Sequence, residues 1–187
     1  MSILFEKTRE FVEKNFKNEA QMLHFDRTVY WLKILKPNAD EAFLIAAIGH
    51  DIQRAFAGSL FVGKDKKFTD VNHIKEHQET GARILGDFLK EQDADTGLIK
   101  RVKHLVSKHE VGGDDDQNLL KDADCLSFLE NNADIFLNSF NELGYNKVKE
   151  KFDWMYQKIT SLKAKEIAKS FYEKIIRELN AKKKTDS

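Results

Sequence analysis

One proline interrupts 187 residues, and the nine glycines are scattered between long stretches with apolar residues every third or fourth position. Alternating apolar and polar residues, the mark of a half-buried strand, are hard to find. Together these features predict an all-α chain. A first helix is expected over about Ser2 to Lys17, on Leu4, Phe5, Phe11, Val12 and Phe16. A second begins near Glu19, carries His24, and stops before Pro37, because the residue before a proline is pushed out of helical geometry. Asn38, with Glu41 three residues on, has the form of a capping box for a third helix. That helix runs through Phe43, Leu44, Ala47 and Ile48 into His50-Asp51.

Further helices are expected over about Val71 to Lys90, Thr96 to Lys108 and Leu119 to Leu129. Between them lie an irregular segment from Gln53 to Asp70, with Gly58, Gly63 and the basic residues Arg54, Lys64, Lys66 and Lys67, and a turn at Glu110 to Asp116. Connections longer than ~12–15 residues are often functional. The last third reads as two or three helices, around Asn132 to Leu143, Asn146 to Ile159 and Ala164 to Leu179, with Ala181 to Ser187 as a frayed tail. No repeat or low-complexity linker divides the chain, so the expectation is one domain over 1–187.

Basic and acidic residues balance at 31 each, which argues against a predominantly electrostatic partner such as DNA or an anionic membrane. No run approaches the ~18–20 apolar residues of a membrane span. A lone cysteine, Cys125, suits a reducing compartment, and the expected location is cytoplasmic.

Chemistry concentrates in the first 109 residues, which hold all six histidines: His24, His50, His73, His77, His104 and His109. A histidine and a carboxylate at the end of an apolar helix are costly to bury without a partner. His50 and Asp51 either satisfy each other or share a cation, and the dipeptide alone leaves both open. Imidazoles and carboxylates projecting from several helices can build a metal site, and the mixed donors suit Mn, Fe, Co, Ni or Zn better than calcium. His73 and His77, four apart, share one helical face, but no third ligand is nearby in sequence. His104 lies about 140° around the helix from His109, so the two are not expected to meet one ion. Asp122 and Asp124 point to nearly opposite faces, so only one should bind.

The order His24, His50-Asp51 and Asp124, the last within Lys121-Asp122-Ala123-Asp124-Cys125-Leu126, resembles the HD-domain superfamily of metal-dependent phosphohydrolases. His24-Phe25-Asp26-Arg27 looks like that family's opening helix, and His77-Gln78-Glu79-Thr80-Gly81-Ala82 like its His-x-x-x-Gly-Ala segment. The resemblance covers about residues 19–129, with the helices of about 132–180 as an extension. It implies a compact HD-like helical bundle holding one or two divalent transition-metal ions. His24, His50, Asp51 and Asp124 would hold the first; Asp51, His77 and His109 the second, with Asp51 as bridge. In two-ion members the ions stand about 3.5–4 Å apart and a bridging hydroxide attacks phosphorus.

The expected activity is thus hydrolysis of a nucleotide or another small phosphoester. Asp51 and Glu110 are catalytic candidates, Glu110 as a general base, and Arg54, Lys75 and Lys108 are candidates to hold phosphate. Gln53 and Arg54 stand where the superfamily's guanosine-tetraphosphate hydrolases carry two acidic residues, and no Gly-Tyr-Pro motif marks a cyclic-dinucleotide phosphodiesterase. Two other readings stand beside hydrolysis: a di-iron oxygenase of the same superfamily, and a non-catalytic binding protein on an HD scaffold. The aromatic last third leaves room for a homodimer.

Overall fold

The apolar run after Asp40 becomes the centre of the molecule. We describe residues 2–16, 18–56 and 69–185 from a computed structural model; the basic residues Lys64, Lys66 and Lys67 of the expected loop lie outside them. Every described element is helical: α1 (Ile3–Phe16), α2 (Glu19–Leu35), α3 (Glu41–Gly49), a 3-10 turn (Ile52–Ala55), α4 (Val71–Glu91), α5 (Thr96–Val106), α6 (Asp115–Ser127), a π-helical turn (Phe128–Asn132), α7 (Ala133–Asn138), α8 (Phe140–Leu143), α9 (Tyr145–Gln157) and α10 (Leu162–Thr185). The expectation of an all-α helical bundle is met. None of the described helices is long and apolar enough to cross a membrane.

Helix α3 is apolar on nearly every side, with Ala42, Phe43 and Ile45 through Gly49 all buried. A helix without a polar face must be surrounded, and α1, α2, α5 and α6 surround it. Its C-terminal end therefore delivers His50 and Asp51 to the middle of the molecule. The cap of α3 is Asp40, whose side chain accepts from the Phe43 N–H at 2.9 Å, and not Asn38 as the capping-box spacing suggests. A carboxylate at that position also meets the positive end of the helix dipole.

Aspartates likewise start α4, α5 and α6. Asp114 forms a full capping box with Gln117, so α6 begins at Asp115, four residues before the expected Leu119. The aspartate run after Gly113 is a helix start and not only a turn. Two glycines let helices approach closely. A Cβ on Gly81 would lie 3.2 Å from the His50 carbonyl oxygen, so Gly81 seats α4 against the end of α3. A Cβ on Gly49 would meet the Leu85 methyls at 2.9 and 3.0 Å. Gly49 thus serves α3–α4 packing, where overpacking costs about 1–3 kcal/mol.

Helix α2 is locked in rotation by Arg27, which donates twice to Glu130 at 2.7 Å, with Trp31 Nε1 donating to the same carboxylate at 2.8 Å. That pairing ties α2 to the π-helical turn and turns His24 inward. The last third folds back over α6. Asp122, fully buried, accepts from the Thr160 N–H at 2.9 Å and the Ser161 N–H at 2.7 Å, clasping α6 to the start of α10. The helix α10 continues to Thr185 through most of the expected frayed tail.

Candidate metal centre

Four histidines reach one interior region from four different elements. His24 projects from α2, His50 caps α3, His77 lies in α4, and His109 follows α5. Their rings form a chain of edge-on neighbours: His24 to His50 at 5.4 Å, His50 to His109 at 5.1 Å, His109 to His77 at 5.2 Å. All four are buried.

Each of these rings has its Nδ1 turned outward and engaged. His50 Nδ1–H donates to the Ala47 carbonyl at 2.9 Å and His109 Nδ1–H to the Val106 carbonyl at 2.8 Å. His24 Nδ1–H donates to Ser127 Oγ at 2.9 Å, whose own hydroxyl donates to the His24 carbonyl at 2.7 Å. His77 Nδ1 bonds Gln53 Oε1 at 2.8 Å. Placing the proton on Nδ1 leaves the Nε2 lone pair of every ring directed inward, the arrangement that orients histidine ligands in metal sites.

The inward atoms fall into two groups, with ligand atoms within 4.8 Å of one another in each: His24, His50 and Asp124, and Asp51, His77, His109 and Glu110. In the first, Asp124 Oδ1 is 3.2 Å from His24 Nε2 and 3.5 Å from His50 Nε2. In the second, Asp51 Oδ1 is 2.8 Å from His77 Nε2 and 3.4 Å from His109 Nε2. A His77–Asp51 hydrogen bond would satisfy that pair without an ion. The same account fails for His50 and His109, whose Nε2 atoms are buried without a hydrogen-bond partner. Lone pairs facing carboxylate oxygens at this range call for a cation between them, so the donor set fits one or two ions.

The electrostatics of the site point the same way. Burial works to raise the carboxyls of Asp51 and Asp124, but the Arg54 guanidinium beside the first, and His24, His50 and Lys158 around the second, hold both well below the usual range. Burial would lower His50, yet Asp124 and Asp51 outweigh it and hold the imidazole at about 9. His77 is lowered by burial. This interior is rich enough in negative charge to draw a proton onto His50, and a metal ion can take that place.

Of the residues expected from sequence, His24, His50, Asp51, His77, His109, Asp124, Glu110 and Arg54 come together here. Glu110 sits differently from expectation. Lys158 Nζ lies 2.5 Å from Glu110 Oε2, and Arg54 lies 3.5 Å from Oε1. Burial pushes this carboxyl upward, but the Lys158 ammonium prevails and holds it at about 2. A carboxylate so held is a poor proton acceptor at neutral pH, so Glu110 is a candidate ligand in place of a general base.

Arg54 Nε lies 2.6 Å from Asp51 Oδ2, so its guanidinium is already spent on site carboxylates. Lys75 and Lys108 are not at the site. Lys75 pairs with Glu79 on the outer face of α4, with 70% of its side chain exposed, and Lys108 is exposed after α5. His73 is also exposed, and His104 pairs at the surface with Asp114 at 2.6 Å. Asp122 is buried and is the clasp to α10.

Two lysines of α9 and its C-terminal turn were not anticipated. Lys158 binds Glu110 and lies 3.8 Å from Asp124 Oδ2, while Lys151 lines a cavity of about 230 Å³ that opens onto His24, Asp51, Glu110 and Asp124. In a sequence that is 33% charged, nothing local sets these two lysines apart. Their spacing of seven residues, which puts them on one helical face, was the available signal.

No curated protein and no solved structure matches this chain. The family model described as a domain of unknown function, DUF4202, matches residues 7–179, nearly the whole length, and the chain belongs to that family.

Proposed function

We propose that this chain is a metal-dependent phosphohydrolase acting on a nucleotide or another small phosphoester. The observation that carries the reading is the pair of buried donor groups, with four Nε2 atoms turned inward and two of them without a partner. The order of these residues along the chain, which resembles the HD-domain superfamily, supplies the reaction class. His24, His50 and Asp124 would hold one ion, and Asp51, His77, His109 and Glu110 a second. A bound divalent ion lowers the pKa of a coordinated water and takes up charge developing on a phosphoryl oxygen. The chain's own residues fix the donors: Ala47, Val106, Gln53 and Ser127 hold the imidazoles in the ligating tautomer, and Arg54 and Lys158 keep Asp51 and Glu110 ionised.

Protein loaded with Mn2+, Co2+ or Ni2+, its metal content verified by elemental analysis, should release phosphate from nucleotides or generic phosphoesters. Loaded protein that releases none from a broad panel would refute the reading.

One feature supports a second reading. Two groups of histidine and carboxylate donors stand side by side, and imidazole with carboxylate also suits iron, so a di-iron oxygenase is the alternative. Iron-loaded protein that consumes oxygen with a polyol or phosphonate, and shows a mixed-valence signal, would favour it over hydrolysis.

A further inference from the structure

Helix α9 lies outside the portion of the chain that carries the histidines, yet it lines the same cavity. Lys151, Trp154 and Lys158 follow one another at three and four residues along one helical face. Both ammoniums lie over the Trp154 ring, Lys151 at 4.6 Å and Lys158 at 4.2 Å from its centroid, and Lys151 also lies 5.0 Å from the Phe128 ring centroid. Such contacts hold a cation in place.

The two lysines divide their work. Lys158 contacts Glu110 at 2.5 Å and does not line the cavity, whereas Lys151 and Arg54 are the cationic residues of its wall. Arg54 is bound to Asp51 at 2.6 Å. The rest of the wall divides by chemistry. His24, Asp51, Glu110, Asp124 and the two cations make up its charged and ligating part, and Phe128, Ile135, Phe136 and Met155 its large apolar part, alongside the uncharged Asn18, Gln21 and Asn132. A ligand matching both has one strongly anionic group and one apolar or flat organic part. A phosphodiester, with organic groups on both sides of phosphorus, matches less well.

We infer that Lys151 is a substrate-anchoring residue, which binds the terminal phosphate of a phosphomonoester whose organic part packs against Phe128 and Phe136. The inference rests on the phosphohydrolase reading and deepens it by naming a substrate class. The burial that lowers the Lys151 amine to about 8 still leaves most of it charged at neutral pH. A neighbouring phosphate dianion strengthens that charge.

The test titrates inorganic phosphate into metal-free and Mn2+-loaded full-length protein by calorimetry, comparing wild type with Lys151→Met, Lys151→Gln, Lys151→Arg and the surface control Lys75→Met. Lys151→Met and Lys151→Gln should weaken phosphate binding by about tenfold or more in both forms. Lys151→Arg should stay within about threefold, and Lys75→Met should not change it. Thermal melts identify which variants are folded, and the Gln variant carries the comparison if the Met variant is not. Phosphate affinity unchanged in a folded Met or Gln variant overturns the inference, as does wild type that binds no phosphate in either form. Failure to load any metal counts against the phosphohydrolase reading, while the metal-free titration still reads Lys151. With p-nitrophenyl phosphate, Lys151→Met should raise KM about tenfold and change kcat less than threefold. Wild type that prefers bis(p-nitrophenyl) phosphate overturns the monoester assignment.

Discussion

The two donor groups are neighbours built by different means. His24 and Asp124 project from the regular helices α2 and α6, with His50 at the cap of α3. In the other group only His77 lies within an α-helix, while Asp51, His109 and Glu110 occupy turns after α3 and α5. Their charge balance differs too. Asp51 and Glu110 each touch a cation, Arg54 at 2.6 Å and Lys158 at 2.5 Å, whereas Asp124 has Lys158 only at 3.8 Å besides its two imidazoles. Without metal, the turn-built group is largely neutralised by the fixed cations Arg54 and Lys158, and the helix-built group by the proton its carboxylate surroundings hold on His50. An ion entering the first must compete with built-in cations; an ion entering the second displaces only that proton. The helix-built group should therefore bind its ion more tightly, by about tenfold on an energy difference near 1.4 kcal/mol.

The largest expected effects come from the two aspartates. Asp51→Asn and Asp124→Asn should each lower phosphate release by about 10³-fold, in line with the several kcal/mol a metal contributes. Elemental analysis should find one ion lost in each, from different groups. An Asp51→Asn protein that retains no ion would break the division and make Asp51 the bridge that the HD resemblance implies.

Lys158 measures how far the turn-built group depends on its own cation. Lys158→Met leaves Glu110 buried without its nearest cation, the contact to Arg54 being longer. Metal-free protein should lose about 3 kcal/mol of stability in urea titrations, and Mn2+ should restore much of it. A loss unaffected by metal would show that Glu110 is not a ligand.

Glu110 also gives an acid signature. Its folded pKa of about 2 lies below the ordinary 4.5, so its contribution to stability is full above about 4.5 and is lost as pH falls toward 2. In metal-free protein the urea midpoint should fall across that window, and Glu110→Gln should flatten the fall. An equally steep fall in the variant would assign it to other carboxylates. The smallest effect belongs to His104, half exposed in its pair with Asp114. His104→Ala should change activity less than twofold and stability by about 0.5 kcal/mol or less. A large loss of metal would reverse the choice between His104 and His109.

The donors were legible because their order along the chain, His24, His50-Asp51 and Asp124, resembles the HD-domain superfamily; local pattern alone left His50-Asp51 open between a self-satisfied pair and a metal site, and did not choose Asp124 over Asp122. Helical spacing predicted that His104 and His109 would not meet one ion, and the resemblance chose His109. The lysines were not legible, since what distinguishes Lys151 and Lys158 from Lys75 and Lys108 is where α9 packs. Glu110 shows the same limit: its place beside the site could be read from sequence, but its low pKa comes from Lys158, 48 positions away. Helix starts failed for a smaller reason. Among Asn38, Asp40, Asp114 and the aspartates after it, several side chains can cap, and tertiary packing decides which one does.

The π-helical turn at Phe128–Asn132 accommodates one residue more than an α-helix would over the same path. Upstream of it lies Asp124; the turn and the segment after it place Phe128, Asn132 and Phe136 on the cavity wall. Deleting a single codon within the turn would regularise the helix and rotate the downstream residues by about 100°. Asp124 would stay in place while Phe136 swung off the wall. On the proposed reading, a one-residue deletion placed after Glu130, which spares the lock to Arg27 and Trp31, is expected to keep metal uptake and weaken substrate recognition.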